Sequence, residues 1–321
     1  IIELVREEHP KYVFWISGGY PFLESTFDRI RNEGSTVVGL FGDDEFKFDN
    51  YSKWWIPHLD YCITFDIEAV AKYRELGARV IQTMSCLGIP VDRDWSSIEE
   101  KYDVSFIGNM RKGLRKQYIN ELKEKKIPIH VFGEGWGARY ISFEEMLDIF
   151  GTSKINLNFS GVSRGNKRQI KGRVTEVCLA GGFLLTEYAP GIENYFEIDK
   201  AIVCFHNAVE MIDKITYYLS HDEERRAIAQ AGWKQATSEY TPFHMLSRVF
   251  DEIERDIAAK GRPSHHPDIK TPRWVRKGFS AYYSSWVKAY SLEGYKDLCK
   301  DAFVLSLSYN RFNIWAWCYY L

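Results

Sequence analysis

The residues best equipped for chemistry fall between positions 164 and 193. Arg164, Lys167, Arg168, Lys171 and Arg173 precede a single acid, Glu176. Gly181-Gly182 follows, then the apolar run Phe183 to Thr186, the loop Tyr188 to Gly191, and a helix start at Ile192-Glu193. An arginine fork matches two phosphate oxygens at once. An ionised carboxylate only accepts hydrogen bonds, so it can take two neighbouring hydroxyls. A loop at the carboxyl end of a strand, opening into a helix, offers backbone N–H groups to an anion. The implied chemistry is the holding of an anionic nucleotide. A solvated basic loop accounts for any one of these cations, but less well for the group beside Glu176.

Other segments carry chemistry-bearing side chains. Gly108-Asn109-Met110-Arg111-Lys112 follows an apolar run, so a glycine loop meets two cations, Arg111 and Lys112, where a backbone could approach phosphate. Phe132-Gly133-Glu134-Gly135-Trp136 ends another such run and reads equally as a tight turn with a core tryptophan. Asp43, Asp44 and Glu45 close an N-terminal strand, where acids serve as a base or an acceptor-binding cluster, or simply form a solvated turn. Ser17 to Tyr20 is a further glycine loop. His206 follows a strand and reads as structural, and His265-His266 sit in a linker.

The elements that must position these residues alternate. Tyr12–Ile16, Thr36–Phe41, Tyr61–Phe65 and Arg79–Gln82 read as strands, with helices over Leu23–Glu33 and Ile67–Leu76. Ile89–Lys101 reads as a linker. A second unit follows, with strands at Val104–Ile107, Ile127–Phe132, Lys154–Phe159, Phe183–Thr186 and Ala201–Phe205. Helices are expected over Gly113–Glu124, Phe143–Phe150 and Thr175–Ala180. Asn207 with Glu210, Ser220 with Glu223, and Thr241 before Pro242 place helix starts for 207–219, 221–237 and 241–259. Strands and helices in alternation mean α/β with parallel sheets. After a Pro/His linker, residues 273–321 form a helical, Tyr- and Trp-rich extension whose Leu305 to Asn313 stretch resembles a tetratricopeptide-like helix junction.

A length of 321 residues points to two domains at roughly 150 residues each. We place them at 1–95 and 103–259. The N-terminal domain has fewer strands than a full Rossmann-like half, and the chain starts at Ile1 rather than Met, so a truncated start is expected. A net charge of −2 argues against a general nucleic-acid binder, which leaves the local cations for a small anion. Six cysteines without a C-x-x-C read as buried reduced thiols of a cytoplasmic protein. No apolar run reaches the ~18 residues of a membrane span.

The order of Glu176, Gly181-Gly182, an apolar strand and Pro190-Gly191-Ile192-Glu193 resembles the donor-nucleotide site of the two-domain GT-B glycosyltransferases. The likeness is to the group 1 (family-four-like) enzymes and their CgeB-like branch. It is best over 103–257, looser over 10–100, and absent from 260 onward. It implies two Rossmann-like domains, the first for the acceptor and the second for a nucleotide sugar, with reaction in the cleft between them. It implies that Glu176 accepts from the ribose hydroxyls. Where the family often has a second Glu, eight positions earlier, this chain has Arg168. That departure removes an acid near the transferred sugar and unsettles the stereochemistry. Arg168, Lys171 and Arg173 become candidates for the donor diphosphate, where cations act on the developing charge of the leaving group.

By the same resemblance Gly108, Arg111 and Lys112 face phosphate, Gly133 and Glu134 lie near the base, and Gly191, Ile192 and Glu193 touch the donor sugar and phosphate. Asp43, Asp44 and Arg168 are the catalytic candidates, the two acids as base in an inverting version. The resemblance implies a retaining, metal-independent transferase. It needs no cofactor beyond the nucleotide sugar and acts on a glycan, lipid-linked or protein acceptor. A longer chain could add adjoining domains. A nucleotide-sugar epimerase and a non-catalytic nucleotide-sugar or glycan-binding module of a larger assembly protein stay open. The absence of G-x-G-x-x-G disfavours a dinucleotide oxidoreductase.

Overall fold

The computed structural model describes residues 1–17, 24–110, 114–137, 139–162, 167–263 and 267–320. The expectations placed on Gly18 to Tyr20, Arg111, Lys112, Arg164 and His265-His266 lie outside the described residues. Two compact units result, Ile1–Gln82 with Asp256–Leu321, and Thr83–Arg255.

The first unit holds a parallel sheet of β1 (Tyr12–Ile16), β2 (Thr36–Phe41), β3 (Tyr61–Thr64) and β4 (Val80–Gln82), in that order. Helices α1 (Ile2–Glu8), α2 (Glu24–Asn32), α3 (Asp44–Lys47) and α4 (Ala69–Glu75) lie between and before the strands. Every residue of β2 is buried, which is why it reads as an unbroken apolar run. Trp15 meets Trp55 edge-on at 4.8 Å and Phe41 at 5.8 Å between ring centroids. Edge-on aromatic pairs of this kind add to the apolar area they bury.

Asp44 departs from its expected place. It is 1% exposed. It accepts hydrogen bonds from Ser52 Oγ at 2.5 Å, Thr64 Oγ1 at 2.7 Å and Tyr73 Oη at 3.0 Å. An acid so enclosed is not presented to a substrate as a base; its carboxylate instead gathers three buried hydroxyls. Asp43 stays half-exposed in a left-handed conformation, φ 61°, and pairs with Lys47 at 3.3 Å. Short polar side chains tolerate that region best after glycine.

The second unit holds β5 (Tyr102–Ile107), β6 (His130–Phe132), β7 (Ser153–Asn158), β8 (Leu184–Glu187) and β9 (Val203–Phe205), all parallel, in the order β6-β5-β7-β8-β9. Its helices are α5 (Arg115–Glu124), α6 (Phe143–Thr152), α7 (Arg173–Leu179), α8 (Ala208–Leu219), α9 (Asp222–Glu239) and α10 (Pro242–Lys260), the last running past the unit boundary. Asn207 Oδ1 accepts from the Glu210 N–H, and Thr241 Oγ1 from the His244 N–H, as the caps predict. Ser220 does not cap α9. Its hydroxyl donates to the Tyr217 carbonyl, and the helix starts after His221.

Residues 83–101 form a strap along this unit. The Val91 N–H donates to the Leu179 carbonyl, and Trp233 Nε1 to the Val91 carbonyl. Arg225, 1% exposed, reaches Glu100 at 2.7 Å, Asp222 at 2.5 Å and the Tyr218 carbonyl at 2.7 Å.

The chain returns to the first unit as α11 (Arg273–Glu293), α12 (Lys296–Tyr309) and α13 (Ile314–Tyr320). Phe279 lies 5.7 Å from the Trp55 ring, so α11 completes the core of the first sheet. Ser280 and Ser306 exchange hydrogen bonds where α11 and α12 cross, and Asn313 Nδ2 donates to Ser280 Oγ at 2.8 Å. Cys62, Cys86, Cys178, Cys204 and Cys299 are free and buried, while Cys318 is exposed. Among the described residues no helix is long and apolar enough to cross a membrane.

Burial is the largest influence on Asp44 and pushes its carboxyl above the ordinary range, against the three hydroxyls that pull it down. The folded acid therefore keeps its proton to higher pH than the unfolded chain does. Unfolding releases a proton in that window, and the group's contribution to stability falls as pH rises above about 4. Asp44→Asn removes this titration. Urea unfolding of both proteins between pH ~4 and ~7 should show the stability difference moving in the variant's favour as pH rises. A difference that stays flat would refute the assignment.

Candidate nucleotide site

The chain leaves β5 for β6 on one side and then crosses to β7 on the other. Loops at the carboxyl ends of β5 and β7 therefore turn apart, and in open parallel sheets that divergence makes the ligand crevice. Most of the second unit's site residues fall along this edge.

The loops after β5 and β6 are zipped together. Gly133, at φ 114°, lies so close that a Cβ would stand 2.7 Å from the Gly108 carbonyl oxygen. Trp136 Nε1 donates to that same carbonyl at 2.7 Å, the Met110 N–H to the Glu134 carbonyl at 3.0 Å, and Asn109 Nδ2 to Glu134 Oε2 at 2.7 Å. Gly108 and Gly133 thus serve a backbone approach, and Trp136 clips the turn.

Behind Gly108 stands Arg115, which sequence reasoning passed over. It is 8% exposed, donates through Nη1 to the Asn109 carbonyl at 2.9 Å, and lies over the Phe106 ring at 5.5 Å. Its Nε is buried without a hydrogen-bond partner, and no carboxylate pairs with it among the described residues. Burial, then the like charge of Arg173, push the guanidinium down to about 10. The signal was available. Arg115 shares the buried stripe Tyr118, Ile119 and Leu122, where helical spacing calls for an apolar side chain.

Arg173 and Glu176 meet at the start of α7, Nη1 to Oε2 at 2.5 Å, with Arg173 also over the Phe150 ring at 5.0 Å. Burial holds the Arg173 guanidinium below its ordinary range, with Glu176 opposing. Both side chains remain 22% exposed. Ser85 and Gly88 of the strap pack here: a Cβ on Gly88 would stand 3.0 Å from Glu176 Cα.

The remaining cations disperse. Arg168 Nε donates to Glu187 Oε1 at 2.9 Å, and its Nη2 to the His206 carbonyl at 3.3 Å. Lys171 Nζ donates to Gln169 Oε1 at 2.7 Å. Arg168 is thus paired with a buried acid, while its own side chain stays 36% exposed. Glu187, with its side chain 5% exposed at the end of β8, was also missed. Its Oε2 accepts from the Ser160 N–H at 3.0 Å, Ser160 Oγ at 3.1 Å and the Gly161 N–H at 3.2 Å.

Gly191 has φ 86° and opens a single 3-10 turn. Ile192 is fully buried and its N–H goes to the Ala189 carbonyl, so neither its side chain nor its N–H reaches out to a ligand as expected. Glu193 accepts from Tyr188 Oη at 3.2 Å. Asp43 and Asp44 belong to the first unit.

Residues 111–251 match the sequence model of a family described as Glycosyl transferase-like. The matched stretch covers less than half of the chain and is a similarity to that family. No curated protein matches the chain. Solved structures show the fold. TarM superposes with TM-score 0.55 at 10% identity, over 78% of this chain and 57% of its own. The pneumococcal O-GlcNAc transferase GtfA, in complex with UDP and GlcNAc, gives 0.52 at 11% over 79% and 59%. Anabaena HepE, in complex with UDP, gives 0.54 at 8% over 79% and 80%. The chain therefore has the GT-B fold, two Rossmann-like halves with a C-terminal helical region. It spans less than two thirds of the length of TarM and of GtfA.

Within the matched stretch, Glu187 is a fixed point. Glu187→Ala should destabilise the protein by about 3 kcal/mol, since it strands a buried and a part-buried N–H group, a hydroxyl and Arg168. Glu193→Ala, on the exposed loop, should change stability by no more than about 0.5 kcal/mol. Urea midpoints decide: equal, small effects would mean that Glu187 is not the anchor of this edge.

Proposed function

We propose that the chain is a glycosyltransferase of the group 1 type, with the CgeB-like branch as its sequence affinity. It moves a sugar from a nucleotide-diphosphate donor to a hydroxyl of a glycan, lipid-linked or protein acceptor. The observation that carries this reading is the pair of cations, buried Arg115 and partly buried Arg173, the latter against Glu176, at the switch point of the second sheet. In this reading Glu176 accepts from the ribose hydroxyls through the oxygen that Arg173 leaves over. Arg115, through the Nε that has no partner among the described residues, and Arg173 take the diphosphate and the charge that grows on it as the glycosidic bond breaks. Gly108 and Gly133 let the backbone come close to the ligand, and Arg111, Lys112 and Lys171 add positive charge. Arg168 acts at one remove, steadying the edge through Glu187.

The reaction is proposed to retain anomeric configuration and to need no metal, the cations doing the work of a divalent ion. Asp43, half-exposed, is the acid to test should the product prove inverted. UDP is the first nucleotide to try, because GtfA and HepE were solved with it.

Thermal unfolding with UDP, ADP and GDP is the test. A ligand of the native state at about 100 times its dissociation constant adds about 2.7 kcal/mol. UDP should raise the melting temperature, and Glu176→Ala and Arg115→Lys should each lose most of that rise. Turnover of a sugar nucleotide should survive EDTA, and NMR of the product should show the donor's anomer. If no nucleotide binds, the donor-site reading fails and a non-catalytic glycan-binding role takes its place. Binding that survives Glu176→Ala moves the ribose elsewhere.

A further inference from the structure

The aromatic C-terminal helices have no part in the proposed donor site, yet they carry a lined groove of their own. On α11, Tyr282, Trp286 and Tyr290 recur every fourth residue, so they stand on one face of the helix. Their ring centroids are 6.1 Å and 5.5 Å apart, the second pair nearly parallel at 28°. Leu298 and Leu305 of α12 form the facing wall, with Asp301 between them on the same side. The space enclosed is ≈ 340 Å³, at the small end of ligand pockets. Trp286 is 40% exposed and Leu298 48%, so the groove is open to solvent. Asp301 is the one charged side chain lining it and makes no ion pair among the described residues.

Three stacked or edge-on rings and one carboxylate define a preference. Ring faces carry a negative quadrupole and draw cations within about 6 Å. A carboxylate on the facing helix adds full charge of the same sign. The leucines on either side of that acid suit methyl or methylene groups and do nothing for a hydrated ion. We propose that this groove is a binding site for a small alkylammonium compound. A quaternary ammonium suits it best: such a group has no N–H to satisfy, and its methyl groups carry the positive charge onto the rings. The acid selects the sign of the ligand, and the leucines exclude inorganic cations, which would stay hydrated.

Calorimetric titration of the whole protein tests this. The probes are choline and its neutral carbon isostere, in which a quaternary carbon replaces the nitrogen. Choline should bind saturably, and the isostere at least about tenfold more weakly, since shape and apolar area are matched and only the charge differs. Asp301→Asn should weaken choline about tenfold, and Trp286→Ala should abolish binding. Both positions are solvent-exposed, and unchanged circular dichroism will show that the variants fold. Trp286→Phe, which keeps a ring face, should restore part of the affinity. Equal binding of the isostere would overturn the proposal in favour of a plain apolar groove. So would an unaltered Asp301→Asn variant, or a lack of saturable choline binding.

Discussion

Glu187 closes β8 with a carboxylate buried at the carboxyl edge of the second sheet, and the rest of that edge is built on it. One oxygen takes the Ser160 and Gly161 N–H groups and the Ser160 hydroxyl, which fixes how the chain turns after β7. The other takes Arg168, which in turn holds the His206 carbonyl after β9. Three neighbouring strand ends are thereby tied to one acid. A buried ion pair contributes little net stability when compared with an apolar substitute, because desolvation offsets much of the attraction. Its value here is geometric. The hydrogen bonds exist in only one arrangement, and the turn after β7 is one wall of the crevice that parallel strand order creates.

The sheets were legible because their physics is local. Parallel strands covered on both faces need continuous apolar runs, and Thr36–Phe41 and Phe183–Thr186 are such runs. The caps at Asn207 and Thr241 were legible for the same reason, since a side chain and an N–H three residues apart need nothing from elsewhere. Ser220 failed because His221 and the end of α8 compete for its hydroxyl, a contest that spacing does not reveal.

The buried polar residues were not legible as such, although each left a trace. Arg115 and Arg225 both lie on apolar stripes of their helices, and Glu187 ends an apolar strand. A charge in such a place must find partners at a distance, and pattern shows the anomaly but not the partner. Asp44 was misplaced by the converse error. Acids after a strand look solvated, yet Ser52, Thr64 and Tyr73 converge on this one from three separate segments. The join of α11 to the first sheet is equally non-local, since it rests on Phe279 meeting Trp55.

Arg115 and Arg225 make an informative pair. Both are more than nine-tenths buried. Arg225 is answered by Glu100 and Asp222, so its charge is compensated within the protein. Arg115 has a carbonyl, a ring face and an Nε with no partner among the described residues, and after burial the largest influences on it are the repulsion of Arg173 and then the attraction of Glu187. An apolar residue on the same stripe would avoid the desolvation cost that this cation carries. An anion arriving at the Gly108 loop would supply the missing charge and the missing acceptor together. In the proposed reaction that desolvation cost would become differential binding energy. It would be largest for the species with the most negative charge at that point, which in a sugar transfer is the departing diphosphate.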